Sequence, residues 1–127
     1  MKQSHPQLLP EELVQAAARR FLALGQPTRL RLLDCLMQRG EASVQELSQL
    51  LHVPYPNVSR HLNLLRSEHV VGRRKSGTSV YYFIADQTVL QICQLVCEGL
   101  RAQLRALGAI AGIESPRGFE STPLCRR

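Results

Sequence analysis

The sequence SVQELSQLLHVPYPNVSRHLNLLR, residues 43–66, predicts two helices joined by a tight turn. Ser43 and Glu46 form an S-x-x-E capping box, in which each side chain bonds a backbone N–H at the start of the first helix. Apolar residues then recur at helical spacing, so this short helix is expected to bury one face. It ends at His52-Val53-Pro54, because the residue before a proline is disfavoured in the helical region.

The second helix of the pair is predicted to start with Pro56 at its first position, after Tyr55 in an extended conformation. Its apolar side is formed by Val58, Leu62 and Leu65. The opposite, outward side carries Pro56, Ser59, Arg60 and Asn63, with Asn57 beside them. This outward side has no carboxylate and suits the phosphates and base edges of a DNA major groove.

The pair is therefore a helix-turn-helix candidate whose second helix, called the reader helix below, enters the groove. On spacing alone, an ordinary pair of amphipathic helices with a solvated polar face fits equally well. The segment that follows favours the first interpretation.

That segment, VVGRRKSGTSVYYFIAD at residues 70–86, predicts a β-hairpin. β-Branched and aromatic residues lie on both sides of a turn signal at Lys75-Ser76-Gly77, and the first strand and its tip carry Arg73, Arg74 and Lys75. On the return strand, Val80, Tyr82 and Ile84 alternate with Ser79, Tyr81 and Phe83. A helix-turn-helix followed by a basic hairpin is typical of a winged helix, so we predict a mainly α fold with a two-stranded β-wing.

The charge of the chain is concentrated on the predicted reader helix and wing. The 127 residues carry a net charge of +6, and residues 60–75 contain five basic residues against one acidic residue. Such a concentration favours a polyanion as partner, with a merely solvated face as the alternative. No apolar run approaches the roughly 20 residues of a membrane span, and the N-terminus lacks the apolar core of a signal peptide. We therefore expect a cytoplasmic protein with no membrane partner.

The remaining segments predict one domain over residues 11–107, with a flexible arm at 1–10 and a flexible tail at 108–127. A first helix begins at Glu11 and ends at Gly25, and a second begins at Pro27 and ends at Gly40. The second helix has apolar residues on two sides, with Leu32 and Cys35 off its main stripe, as a central helix would.

A last helix is predicted from about Thr88 to Leu107. Its apolar stripe consists of Ile92, Cys93, Val96, Leu100, Leu104 and Leu107. The helix is longer than so small a core requires. Together with the first helix around Phe21, it predicts the interface of a two-fold homodimer.

Four segments of the chain resemble the ArsR/SmtB family of winged-helix repressors, in the same order and at the same distances. They are LGQPTRLRLLDCL, SVQELSQLL, VSRHLNLLRSEHVV and GRRKSGTSVYYFI, and the resemblance covers roughly residues 13–107. It implies a homodimer that represses transcription at a double-stranded DNA operator. Release from DNA would follow binding of an inducer, often a metal ion, a metalloid or a thiol oxidant.

The resemblance also implies which residues contact DNA. By position these are Tyr55, Pro56, Asn57, Ser59 and Arg60 of the reader helix, with Arg74, Lys75 and Thr78 around the wing. The outward face and the basic strand add Asn63 and Arg73. His61 stands at the family's usual histidine position and borders the buried face, so we expect a structural or phosphate-binding role for it.

The chain departs from the family pattern at the reader-helix cap and at the metal sites. Pro54 replaces the small polar capping residue, which shifts the expected cap to Tyr55. Val44-Gln45-Glu46 lacks the Cys-x-Cys of members that bind soft metals there. Asp86-Gln87-Thr88 keeps only the aspartate of the zinc motif on the last helix, and Gly99 and Ala102 stand where later ligands would fall. A zinc sensor of either kind is not expected.

The cysteines offer a different sensor. Cys35 matches a cysteine of the family's persulfide- and oxidant-sensing branch, whose partner on the last helix would here be Cys97 or Cys93. Cys93 and Cys97 are four residues apart and so share one helix face. With Cys35 or the tail's Cys125, they could bind a soft three-coordinate ion such as arsenite, or could form a reversible disulfide. The alternative is that they pack as small hydrophobic residues, and no cofactor beyond such an ion is expected.

Other functions find less support in the sequence. A thiol oxidoreductase would need a Cys-x-x-Cys at a helix N-terminus, and the sequence has none. No residue spacing suggests a Ser-His-Asp or paired-carboxylate site either. An enzyme is therefore not expected. A winged-helix protein-interaction module and a constitutive DNA-binding regulator without a thiol sensor remain alternatives.

Overall fold

The computed structural model describes residues 8–108, which form five helices and one β-hairpin. The elements are α1 (Glu11–Leu24), α2 (Pro27–Arg39), α3 (Val44–Leu51), α4 (Tyr55–Ser67), β1 (Val71–Ser76), β2 (Ser79–Ile84) and α5 (Gln87–Ala106). This is the predicted winged helix-turn-helix, with α4 as the reader helix and the β1–β2 hairpin as the wing. Most of the predicted arm and all of the tail after Gly108, including Cys125, lie outside the described residues.

The helix ends follow the local signals in the sequence. The capping box of α3 is present, with Ser43 Oγ accepting from the Glu46 N–H (3.1 Å) and the Glu46 carboxylate accepting from the Ser43 N–H (2.9 Å). Gly40 ends α2 with a φ of 86°. His52 ends α3 in the left-handed region, with a φ of 56°. The first and second helices end where the sequence predicted.

The start of α4 differs from the prediction. Tyr55 is the first helical residue, rather than an extended residue or a cap, and Pro56 is the second. Pro54 is the N-cap, and its carbonyl accepts from the N–H groups of Asn57 (3.0 Å) and Val58 (3.1 Å) without any side-chain cap. Pro56 is tolerated there because N–H groups of a first helical turn have no acceptor within the helix.

The turn of the wing also lies later than predicted. Ser76 pairs with Ser79, so Gly77 and Thr78 form a two-residue turn and Ser76 belongs to the strand. Of these two turn residues only Gly77 has a positive φ, at 63°. Two-residue hairpin turns need a positive φ at the first central position, which fixes the glycine there and sets the register.

The core lies between α2, α4 and the base of the wing. Leu32, Leu33 and Leu36 of α2 are fully buried, which confirms a helix packed on two sides. Val58, Leu62 and Leu65 of α4 are buried opposite them. A short antiparallel bridge from Ala42 to Tyr82 (N···O 3.0 and 2.8 Å) attaches the wing to the loop between α2 and α3.

The outer helices are only partly covered. In α5, Val89, Leu90 and Cys93 are buried, whereas Val96 and Leu100 are 55% and 50% exposed. The helix begins at Gln87 and ends at Ala106, one residue earlier at each end than predicted. An ion pair between Arg20 and Asp86 joins α1 to the start of α5. No helix within residues 8–108 is long and apolar enough to cross a bilayer.

Candidate nucleic-acid interface

Two hydrogen bonds close the turn between α3 and the reader helix. Ser48 of α3 donates its hydroxyl to the carbonyl of Val53, and the N–H of Val53 donates to the carbonyl of Ser48 (3.2 Å). These bonds connect α3 to Val53, the residue before the N-cap of the reader helix.

A polar cleft of about 430 Å³ separates the outward side of α4 from the wing. Five of the residues predicted to contact DNA line it, namely Tyr55, Ser59, Asn63, Arg73 and Thr78. The start of α3 adds Ser43, Val44 and Gln45, and the return strand adds Ser79, Val80 and Tyr82. The fold thus brings together residues that are up to 23 positions apart in the predicted set.

The other predicted contact residues do not line this cleft. Pro56 and Arg60 are exposed on α4, Asn57 is half-buried, and Lys75 is exposed near the tip of the wing. Arg74 points elsewhere. The pairing of β1 with β2 explains why, because successive side chains of a strand point to opposite faces.

Arg73 pairs with the buried Tyr82, on the face of the wing that is directed toward α4. Arg74 pairs with Tyr81, on the opposite face, and its guanidinium lies 5.1 Å from the centre of the Tyr81 ring. The same guanidinium donates two bonds to the Glu41 carboxylate, from Nε to Oε1 (2.8 Å) and from Nη2 to Oε2 (2.6 Å). The Arg74 hydrogen bond lowers the pKa of Glu41, which keeps the pair charged.

His61 of the reader helix is held by Arg29 of α2. Arg29 donates to Nδ1 of His61 (3.2 Å) and to the carbonyl of Ala23 at the end of α1 (2.6 Å). A guanidinium can only donate, so His61 Nδ1 must be the acceptor and the imidazole is neutral. Burial, and then the charges of Arg29 and Arg60, lower the pKa of His61. His61 therefore has a structural partner, which agrees with the structural one of its two expected roles.

Comparison with known proteins identifies the family. A helix-turn-helix domain model matches residues 24–69. A helix-turn-helix-type transcriptional regulator of Methanocaldococcus jannaschii, itself uncharacterized, is 40% identical over 87 residues, covering 68% of this chain and 98% of that protein. A transcriptional repressor SmtB homolog of Synechocystis is 35% identical over 101 residues, covering 80% and 76%.

A solved structure agrees with these relatives. It is a homodimeric winged helix-turn-helix DNA-binding domain from Mycobacterium bovis, described as a possible ArsR-family transcriptional regulator. The TM-score is 0.64 at 32% identity, over 75% of this chain and 85% of that one. The chain belongs to the ArsR/SmtB family. This family and fold are those of transcriptional regulators and not of enzymes.

The three described cysteines of this ArsR/SmtB-family chain lie on two helices, Cys35 on α2 and Cys93 and Cys97 on α5. Cys35 and Cys97 are half-buried against the core, and Cys93 is buried within it. Burial, and next the charge of Asp34, raise the pKa of Cys35. Within residues 8–108, no group of three or more His, Cys, Asp or Glu side chains is arranged to hold a metal ion.

Two residues near the interface were not singled out from the sequence, namely Glu41 and Arg29. Each acts on a partner more than 30 positions away, Glu41 on Arg74 and Arg29 on His61. No local pattern connects such pairs. The one available signal is an acidic residue in the loop before α3, in a chain whose neighbouring wing is strongly basic.

Proposed function

We propose that this chain is a sequence-specific DNA-binding transcriptional repressor that acts as a homodimer and is released by an inducer. The observation that carries the proposal is the cleft between α4 and the wing, where reader-helix and wing residues converge. The Synechocystis relative is described as a transcriptional repressor, which supports the same direction of regulation.

In this proposal, the reader helix lies in the major groove and the wing lies along the backbone. Tyr55, Asn57, Ser59 and Asn63 have the hydrogen-bonding groups that base edges match, with Pro56 in van der Waals contact at the start of the helix. The phosphate contacts come from Arg60 on α4 and from Arg73, Lys75 and Thr78 on the wing. All of these side chains except the half-buried Asn57 and Ser59 are exposed.

The homodimer is proposed to form through α1 and α5. Phe21 of α1 is 58% exposed, and α5 leaves the apolar side chains of Val96 and Leu100 55% and 50% exposed. Large apolar surfaces of this kind usually mark an interface. The Mycobacterium bovis neighbour is described as homodimeric. Two reader helices about 34 Å apart would then meet a near-palindromic operator.

The inducer is proposed to act on the cysteine thiols of α2 and α5, as a soft metalloid such as arsenite or as a persulfide or other thiol oxidant. Cys35 lies on α2, which packs against the reader helix, and Cys93 and Cys97 lie on α5, which is part of the proposed dimer interface. A change at these thiols would therefore act on both parts of the repressor. If Cys93 and Cys97 bind a three-coordinate ion, the third ligand is Cys35, Cys125 or a cysteine of the other subunit.

The test is a fluorescence-anisotropy titration of the reduced protein against its own upstream DNA, repeated with arsenite, zinc or a persulfide. Tight, salt-sensitive binding that one agent relieves supports an inducible repressor. Tight binding that no agent relieves supports a constitutive regulator whose cysteines only pack. Binding no tighter than that of a general basic protein favours an interaction module.

The thiol sensor is tested separately by the double variant Cys35→Ser and Cys97→Ser. We expect it to bind the operator as the wild type does and to lose release by the effective agent. Because the reactive form is the thiolate and burial raises the pKa of Cys35, release of the wild type should strengthen as pH rises. A double variant that responds normally to every agent would exclude Cys35 and Cys97 as the sensor.

A further inference from the structure

The contact between the wing and the loop before α3 distinguishes two neighbouring arginines. We propose that Arg74 is a positioning residue that anchors the wing to Glu41, and that Arg73 provides the phosphate contact of this strand. The proposal rests on the proposed DNA-binding function, which it deepens by dividing the roles on β1. It differs from the family-based expectation that Arg74 itself contacts DNA.

The Arg74 guanidinium is already engaged within the protein, through two of its five N–H donors and through one face. It binds both oxygens of Glu41, at 2.8 and 2.6 Å, and packs over the Tyr81 ring. Isolated surface ion pairs contribute little, but two parallel bonds between a guanidinium and a carboxylate are the favourable geometry. A phosphate that took these two donors from Glu41 would leave the Glu41 carboxylate uncompensated beside a polyanion.

The anchor acts where it controls the direction of the wing. Glu41 directly precedes Ala42, which forms the backbone bridge to Tyr82. The loop therefore holds the hairpin at two neighbouring points, by backbone bonds to β2 and by the ion pair to β1. The capping residue Ser43 follows at once, so the same three residues connect the wing to the start of α3.

Arg73 has the opposite environment. It lies in the polar cleft with Ser59 and Asn63 of the reader helix. Its side chain is exposed and directed into the space that the proposed duplex would occupy. Because Arg73 and Arg74 are adjacent, equally charged and both exposed, each serves as the control for the other.

The first experiment compares Arg73→Gln with Arg74→Gln in operator binding as a function of salt concentration. Each phosphate contact contributes about 0.9 to the slope of log K against log salt. We expect Arg73→Gln to reduce this slope by about one, and Arg74→Gln to leave it unchanged while weakening binding by about two- to five-fold, the usual worth of an exposed ion pair. A slope that falls by about one in Arg74→Gln would overturn the proposal.

The second experiment uses Glu41→Gln. If Glu41 anchors the wing through Arg74, this variant weakens binding as Arg74→Gln does, and the double variant is no worse than either single one. If Arg74 instead contacts phosphate, removing Glu41 frees the arginine and removes a negative charge, so binding becomes tighter. Tighter binding by Glu41→Gln would refute the anchor.

Amide hydrogen exchange of the DNA-free protein separates this proposal from the proposed function. We expect faster exchange over residues 71–84 in Glu41→Gln and Arg74→Gln, and unchanged exchange in Arg73→Gln. If wild-type protein fails to bind its operator while this exchange pattern holds, the function is wrong and the anchor stands. If exchange in both anchor variants equals that of wild type, the anchor is wrong whatever the DNA result.

Discussion

At the scale of single residues, the contact between Arg29 and His61 connects three helices. Arg29 lies on α2. It donates to the carbonyl of Ala23 at the end of α1 and to His61 on the reader helix. Only a neutral imidazole can accept this bond. The lowered pKa of His61 therefore reflects both its burial and a contact that protonation would break.

This contact predicts how stability depends on pH. The folded-state pKa of His61 lies below the unfolded value of about 6.5, so the unfolded chain binds the proton first as pH falls. The contribution of His61 is thus fully present above about pH 6.5 and is lost as pH falls below it. In His61→Gln, where the amide oxygen still accepts from Arg29, we expect the free energy of unfolding to fall less between about pH 7.5 and 5.5.

Chemical denaturation at both pH values measures this difference. His52→Asn is the matched control, because it also removes one histidine and asparagine tolerates the left-handed conformation of that position. It leaves His61 and its contact with Arg29 in place, so its pH dependence is the reference for the loss of a histidine as such. An identical dependence in His61→Gln and the wild type would show that the contact with Arg29 does not control protonation.

At the scale of elements, the wing depends on one turn. Gly77 has a φ of 63°, and no atom lies within 4 Å of a side chain added there, so the conformation and not space restricts the position. A left-handed conformation costs a residue with a Cβ about 1 kcal/mol or more. We expect Gly77→Ala to lower the free energy of unfolding by about 1 kcal/mol and to weaken DNA binding by loosening the wing tip.

Urea unfolding and operator titration test this prediction, and Thr78→Ala in the same turn is the control for the unfolding measurement. Thr78 does not have a positive φ, so alanine fits its backbone conformation. Its side chain is one of the proposed phosphate contacts. Thr78→Ala should therefore leave stability within about 0.5 kcal/mol of wild type. Equal stability of the two variants would show that the turn does not limit the wing.

At the scale of the whole molecule, the exposed apolar side chains of α1 and α5, among them Phe21, Val96 and Leu100, predict that two subunits associate. Val96→Glu places a charge among these side chains at a position 55% exposed within one chain, so the subunit itself should still fold. We expect the variant to be monomeric at micromolar concentration and to bind the operator much more weakly, because two linked reader helices bind jointly.

Gln91→Glu is the matched control, since it adds the same charge at an exposed position away from the apolar stripe of α5. Sedimentation equilibrium and circular dichroism of both variants give the result. A dimeric Val96→Glu protein would place the interface elsewhere. A variant without helical structure would instead show that α5 is needed to fold the subunit, and the milder Val96→Ser would then repeat the test.

Most of the fold could be predicted from the sequence, because its signals are local. The capping box at Ser43, the glycine at position 40 and the alternating strand after Gly77 each act within a few residues. The two wrong predictions, the start of the reader helix and the turn of the wing, are also local. In each, two neighbouring residues could have set the boundary. At the reader helix, Pro54 caps with its carbonyl, so Tyr55 enters the helix. In the wing, the positive φ moves the turn to Gly77 and Thr78.

The sequence by itself determined the order of elements, the apolar faces, the basic reader and wing, and the family, since periodicity, caps and motif spacing depend only on near neighbours. Only the tertiary structure decided that Arg73 faces the cleft while Arg74 binds Glu41, and that Arg29 holds His61 neutral. Those assignments depend on strand register and on contacts across more than 30 residues. Chain folding brings such groups together, and no local pattern records their distance.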